Sequence, residues 1–185
     1  MARVVIGLDM SLNAAGVCAL LDSGEASMRT LRAEGKNNKL RRDDQVGKIM
    51  RLIDSAGGRG EIAMVCIEQI VMHGAHQSGA AQLITLGEVM ADEIVARGIP
   101  LKRIPPSTIK KYFTGSGNSK KPQMIAEAIR RGFAVGEDDN KADAVALAIL
   151  ARDICRYRAN DFAALSGLRK DQLVELEKHK GASCN

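Results

Sequence analysis

Apolar residues along the chain fall first into short runs and then into longer segments with helical spacing. Residues 3–9 (RVVIGLD), 16–22 (GVCALLD) and 25–33 (EASMRTLRA) read as three strands, joined by turns rich in Gly, Asn and Ser. Links this short between consecutive strands predict an antiparallel meander. Residues 43–56 place Val46, Ile49, Met50 and Ile53 on one face of a helix, which the glycines of 57–60 end. A Val- and Ile-rich strand then closes on Glu68, followed by a long helix over 77–97 and a short strand over 99–104. A Pro-started helix over 105–113, a Gly-rich link over 114–119 and helices over 120–132 and 138–158 complete the pattern. A meander followed by alternating helices and strands predicts an α/β domain, a mixed sheet with helices on its faces. The boundaries drawn are one domain over 1–158 and a helical tail over 159–185, which packs on that domain or on a second subunit.

Composition narrows the function classes. Of 185 residues 45% are apolar and 26% charged, the profile of a globular chain able to bury a core. No apolar run approaches the roughly 18 to 20 residues needed to cross a bilayer, and Asp9 interrupts the start before a signal-peptide core forms. A cytoplasmic protein with no membrane partner is expected. Cys18, Cys66, Cys155 and Cys184 show no paired spacing, so they read as reduced thiols rather than zinc ligands or disulfides.

The net charge of +5 is concentrated. Between Leu101 and Arg131 stand Lys102, Arg103, Lys110, Lys111, Lys120, Lys121, Arg130 and Arg131 against Glu127 alone. That balance suits a polyanion, although a solvated basic face would look the same. With three Phe, two Tyr and no Trp, backbone recognition is favoured over base stacking.

The acidic residues carry the chemistry. Asp9 ends the first strand, Glu68 ends the strand after the first helix, and Asp143 opens the last long helix just past Asp138 and Asp139. Two central strands ending at one edge would set Asp9 beside Glu68, and a helix over that edge would add Asp143. Carboxylates crowded in this way repel one another unless a divalent cation lies between them. Oxygen ligands without His or Cys suit Mg²⁺ or Mn²⁺. The other acids also have plainer readings, Asp143 as a helix-dipole charge, Asp138, Asp139 or Asn140 as a cap and Asp9 as a turn residue, whereas a strand-end Glu68 has few.

The stretches GLDMSLNAAG, IEQIVM, IKKYFTGSGNSKKPQM and DDNKADAVALA, in this order and spacing, resemble the RuvC family of Holliday-junction resolvases, within the RNase H-like fold. The resemblance runs over roughly residues 3–155 and implies a central five-stranded mixed sheet, an antiparallel three-strand meander plus parallel strands, flanked by helices. It implies Asp9, Glu68 and Asp143 as metal ligands, with Asp139 preferred as the fourth over Asn140 and Asp138. Lys110 and Lys121 match family lysines near the cleaved strand, where they would neutralise the scissile phosphate or the charge of the transition state. Lys111 and Lys120 are expected to be phosphate contacts, and Ser11, Asn13, Gln69, His73, Ser116 and Asn118 further contacts to nucleic acid. Where bacterial members carry an aromatic wedge, this chain has Val71 and Met72; His73 and His76 read as loop polar residues.

The implied reaction is phosphodiester hydrolysis with two Mg²⁺ ions about 4 Å apart bridged by Asp9, Mn²⁺ being able to substitute. The implied substrate is a four-way DNA junction in recombination and repair, cut by paired symmetric nicks that leave 5′ phosphates, with no small-molecule substrate. Two symmetric cuts require a homodimer, for which Leu83, Ile84, Leu86 and Met90 of the long helix are candidates unless they simply cover the sheet. Rival readings are an RNase H-like nuclease acting on flaps, forks or hybrids, and a branched-DNA binding protein without catalysis. A sugar-kinase or actin-like ATPase is disfavoured, since the second phosphate loop is missing.

Overall fold

The computed structural model describes residues 3–57, 60–70 and 78–180. Five strands form one sheet: β1 (Val4–Asp9), β2 (Ala14–Leu21), β3 (Ala26–Arg32), β4 (Ile62–Glu68) and β5 (Leu101–Ile104), in the order β3-β2-β1-β4-β5. The first three pair antiparallel as a meander, while β4 lies parallel to both β1 and β5. Six helices surround it among the described residues: α1 (Asn38–Ser55), α2 (Ser78–Ala96), α3 (Pro106–Thr114), α4 (Lys121–Arg130), α5 (Asp139–Arg158) and α6 (Lys170–Glu177).

The period-two alternation of the central strands sorts their side chains between two cores. Ile6 and Leu8 of β1 and Val65 and Ile67 of β4 meet Ile49 and Ile53 of α1 and Leu86, Met90 and Ile94 of α2. On the other face Val5, Met64 and Cys66 meet the apolar side of α5 together with α3 and α4. Cys18 and Cys66 are buried thiols outside any disulfide, and burial pushes the Cys18 thiol up to about 12.

The helix α5 sits unusually close to the sheet. A Cβ at Gly7 would overlap the carbonyl oxygen of Ala144, and one at Gly16 the carbonyl oxygen of Asn140. These two glycines let a helix backbone rest almost directly on β1 and β2, where any side chain would hold it away. Small Ala142, Ala144, Ala146, Ala148 and Ala151, all buried, continue the fit along α5.

Two sequence expectations need correction. The first helix starts at Asn38 rather than near 43: Asn37 caps it by accepting a hydrogen bond from the Leu40 amide (2.9 Å), and Lys39 pairs with Asp43 one turn on. That first turn is polar and exposed, so apolar spacing carries no trace of it. Leu86 and Met90 are fully buried within the core and are therefore not interface residues, whereas Leu83 and Ile84 are only half-buried. The tail packs on the domain: Leu165 and Leu176 join the α5-side core, and Gln172 donates to the carbonyl of Tyr112 (2.8 Å).

Replacing Gly7 with Ala forces a methyl into the α5 backbone and should cost about 3 kcal/mol or more, at the upper end of overpacking effects. Chemical denaturation reads this directly, and a Gly7→Ala protein as stable as the wild type would mean that α5 does not sit where described.

Candidate active site

Strand register builds the acidic side of the site. In the parallel pair Gly7 lies opposite Cys66 and Leu8 opposite Ile67, so the next residues, Asp9 and Glu68, end their strands side by side. By alternation both share the face of Val5, Gly7, Met64 and Cys66, the face covered by α5. The close seating of Asn140 on Gly16 and Ala144 on Gly7 sets the first turns of α5 over these strand ends. Asp9, Glu68, Asp139, Asn140 and Asp143 accordingly line one cleft of about 470 Å³, opposite Lys110 of α3 and the segment Gly117–Lys121 at the start of α4.

The charges there are strongly coupled. Burial, and then the neighbouring Asp143, Glu68 and Asp139 carboxylates, hold the Asp9 carboxyl well above its ordinary range, while Lys121 opposes them. Glu68 is pushed up to about 7 by burial and by Asp143, against the pull of Lys110. Asp143 rises to about 6 through burial and Asp139, with Lys110 and Lys121 opposing. No hydrogen bond reaches the Asp9, Glu68 or Asp143 carboxylates from the described residues, so repulsion and desolvation go uncompensated except by the two lysines. Lys121 forms an ion pair with Asp139, which raises the lysine's pKa.

The neighbouring acids divide their work. Asp138 is the α5 cap: it accepts from the Lys141 amide (3.2 Å) and from the Thr30 hydroxyl (2.6 Å), and these bonds outweigh burial and keep its pKa low. Committed to the helix end, it is not among the residues that line the cleft. Asp139 faces the cleft with Asn140 beside it.

The expected nucleic-acid contacts are distributed unevenly. Lys120 and Asn118 line the cleft. Ser116 is not among the residues that line the cleft; its carbonyl accepts from the Ser119 hydroxyl (2.9 Å). Lys111 points instead into a separate cleft between α3 and α6. Ser11 shapes the β1–β2 turn by accepting from the Asn13 amide (3.2 Å), and Asn13 accepts from Arg41 (3.1 Å). Gln69 borders a small cavity behind Glu68, with Arg103 and Glu88 across it. Val71, Met72, His73 and His76 lie outside the described residues. Ser119 and Met124, which also line the cleft, were not singled out in the sequence; the only signal for Ser119 was its place in the Gly-rich link.

Could such a cleft hold a cation? Its acidic donors are all carboxylates, with no His or Cys among the cleft-lining residues, and three are half-buried without hydrogen-bond partners among the described residues. That donor set fits a hard divalent ion. No three acidic side chains among the described residues close on a common point, and Lys121 occupies Asp139.

A 3-2-1-4-5 mixed sheet, with carboxylates at the ends of its two central parallel strands and on the covering helix, has the RNase H-like architecture. The sequence profile described as crossover junction endodeoxyribonuclease RuvC matches residues 5–151, and the chain belongs to the RuvC family. It is 32% identical over 106 residues to the crossover junction endodeoxyribonuclease RuvC of Anaeromyxobacter dehalogenans, a match covering 57% of this chain and 56% of that protein. The chain thus aligns with a little over half the length of that curated relative. The structure of Thermus thermophilus RuvC in complex with a Holliday junction substrate shares the fold with a TM-score of 0.60 at 14% identity, over 85% of this chain and 96% of that one. The yeast mitochondrial Holliday junction resolvase has a TM-score of 0.55 at 13% identity, over 85% of this chain and 79% of its own.

The raised carboxyl pKa values have a thermodynamic consequence of defined sign. Folded Glu68 and Asp143 hold protons that the unfolded chain releases above about pH 4, so their stabilising contribution is complete at acid pH, declines from there and is lost as pH rises through about 6 to 7, and Asp9 acts in the same direction. Without added cation, Asp143→Asn should therefore unfold at a higher temperature than wild type near pH 8, with the gap narrowing below pH 6 and closing near about pH 4. The gain in Tm on adding Mg²⁺ or Mn²⁺ should grow over the same interval for wild type and shrink in the variant. Calorimetry at the two pH values checks both, and an Asp143→Asn protein no more stable at the higher pH would contradict the coupling described.

Proposed function

We propose that this protein is a metal-dependent endonuclease that resolves four-way DNA junctions by hydrolysing phosphodiester bonds in the cleft between β1, β4 and α5. The observation that carries the reading is the placement of Asp9, Glu68, Asp139 and Asp143 on one face, opposite Lys110 and Lys121. Family membership and the likeness to junction resolvases support it.

In this reading Asp9, Glu68, Asp139 and Asp143 hold two Mg²⁺ ions, Mn²⁺ being able to substitute. Bound there, the ions supply charge neutralisation and an activated water at neutral pH. The protein's own groups do the remaining work. Glu68 and Asp143 give up their protons to become ligands, which makes cation affinity fall below neutral pH. Lys121 exchanges its pairing with Asp139 for the scissile phosphate, freeing that carboxylate as it neutralises the phosphate. Lys110, close enough to lower the pKa of both Glu68 and Asp143, approaches from the other wall. Lys120 and Asn118 on the rim would hold the flanking backbone. Each cleft cuts one strand, so a symmetric pair of nicks calls for a two-fold dimer. Leu83 and Ile84, half-buried on α2, remain available to it, and the cytoplasm is its proposed compartment.

The test compares a synthetic four-way junction with a linear duplex of the same sequence, with Mg²⁺ and with EDTA. Paired symmetric nicks confined to the junction and requiring Mg²⁺ are expected, together with their loss in Asp143→Asn and Glu68→Gln. Lys121→Ala should slow cleavage on the order of a hundredfold. Equal cutting of flaps or linear DNA would instead make it a nuclease of broader choice, and tight junction binding without cleavage under any divalent cation would leave a binding protein.

A further inference from the structure

A second groove, of about 740 Å³, lies between α3 and α6, and Gly117 borders both this groove and the acidic cleft. Gly117 is thus a shared border, with Lys110, Lys120 and Lys121 on one side and Lys111, Lys170 and Lys178 on the other. Both acids of the second groove are already countered: Asp171 by Arg169 (3.1 Å) and Glu175 by Lys178 (2.7 Å). Lys111 and Lys170 are exposed and make no ion pair among the described residues, although Lys111 lies near enough to Asp171 to help lower its pKa. The groove therefore keeps a surplus of positive charge that no internal contact uses. Ser107 and Thr108 add hydroxyls along its α3 side. Its one aromatic residue, Tyr112, is buried with its hydroxyl donated to Asp153 (2.8 Å), so the groove offers no stacking platform.

We infer that the α3–α6 groove is a phosphate-backbone track for the duplex arm that leaves the acidic cleft over Gly117, with Lys111 and Lys170 as its contacts. The inference rests on the nuclease reading and extends it to a part of the chain outside the matched region, since α6 lies beyond residue 151. Cations with hydroxyls and no stacking surface recognise a sugar-phosphate backbone without regard to sequence. The groove's continuity with the cleft at Gly117 favours duplex DNA over an isolated anion, because only a polymer spans both.

The experiment is the salt dependence of junction binding by the full chain, measured by fluorescence anisotropy in the Asp143→Asn background to prevent cutting, with and without Lys111→Ala/Lys170→Ala. Losing two phosphate contacts should reduce the slope of log affinity against log salt by roughly 2 and weaken binding roughly tenfold or more at moderate salt. The loss should be alike for junctions of different sequence. Both lysines are exposed, so an unchanged thermal midpoint would show that the fold is intact. Lys111→Glu/Lys170→Glu should deepen the defect. An unchanged slope in a folded double variant overturns the track while leaving the nuclease reading standing. Failure of the parent protein to bind the junction at all overturns the reading beneath it.

Discussion

Everything at the candidate active site depends on how closely one helix approaches one sheet. Helices usually pack on sheets through a layer of side chains, but α5 meets β1 and β2 where Gly7 and Gly16 remove that layer. The contact fixes the height and register of α5 above the strand ends, because a backbone resting on a backbone has little room to slide. Asp139 and Asp143 inherit their positions from it, just as Asp9 and Glu68 inherit theirs from the pairing of β1 with β4. Four carboxylates from three elements thus come to one cleft through two local rules, strand register and a glycine seat.

That convergence costs stability in the absence of a cation. Three of the carboxylates are half-buried without hydrogen bonds from the described residues, and their pKa values are raised by desolvation and by one another. The contrast with Asp138, one residue before Asp139, is instructive. Asp138 receives the Thr30 hydroxyl and the Lys141 amide, its pKa falls, and its charge serves the fold. Neighbouring residues of the same type are separated in role by what donates to them, and the cleft acids keep their lone pairs open for something else.

Much of this was legible in the sequence, for identifiable reasons. Period-two runs ending at Asp9 and Glu68 mark both the strands and the sharing of a face, and the long apolar α5 pattern marks the covering helix. The sequence reading preferred Asp139 to Asp138, but the commitment of Asp138 to the helix end was not legible from spacing, because it turns on Thr30, which lies more than a hundred positions away in the sequence. The start of α1 was hidden because polar, exposed turns leave no apolar trace. Leu86 and Met90 illustrate the opposite failure: an apolar helix face looks the same whether it covers its own sheet or a second subunit, and here the sheet takes those two residues. Lys111 and Lys120 were read together as phosphate contacts, yet adjacent helical positions point about 100° apart, so Lys111 turns away from Lys110 and borders a different groove from the one that Lys120 lines.

The two walls of the cleft are supported differently. Asp9, Glu68, Asp139 and Asp143 belong to the sheet and to the helix seated on it, the most extensively packed part of the molecule. Lys110 and Lys121 come from α3 and α4, which pack chiefly against α5 and against each other. Such an arrangement works like an anvil and a jaw: the acidic wall is set once, at folding, while the basic wall rests on a single layer of helix contacts. In the proposed function, the geometry most sensitive to error, that of the carboxylates, is thereby separated from the wall that meets the DNA backbone.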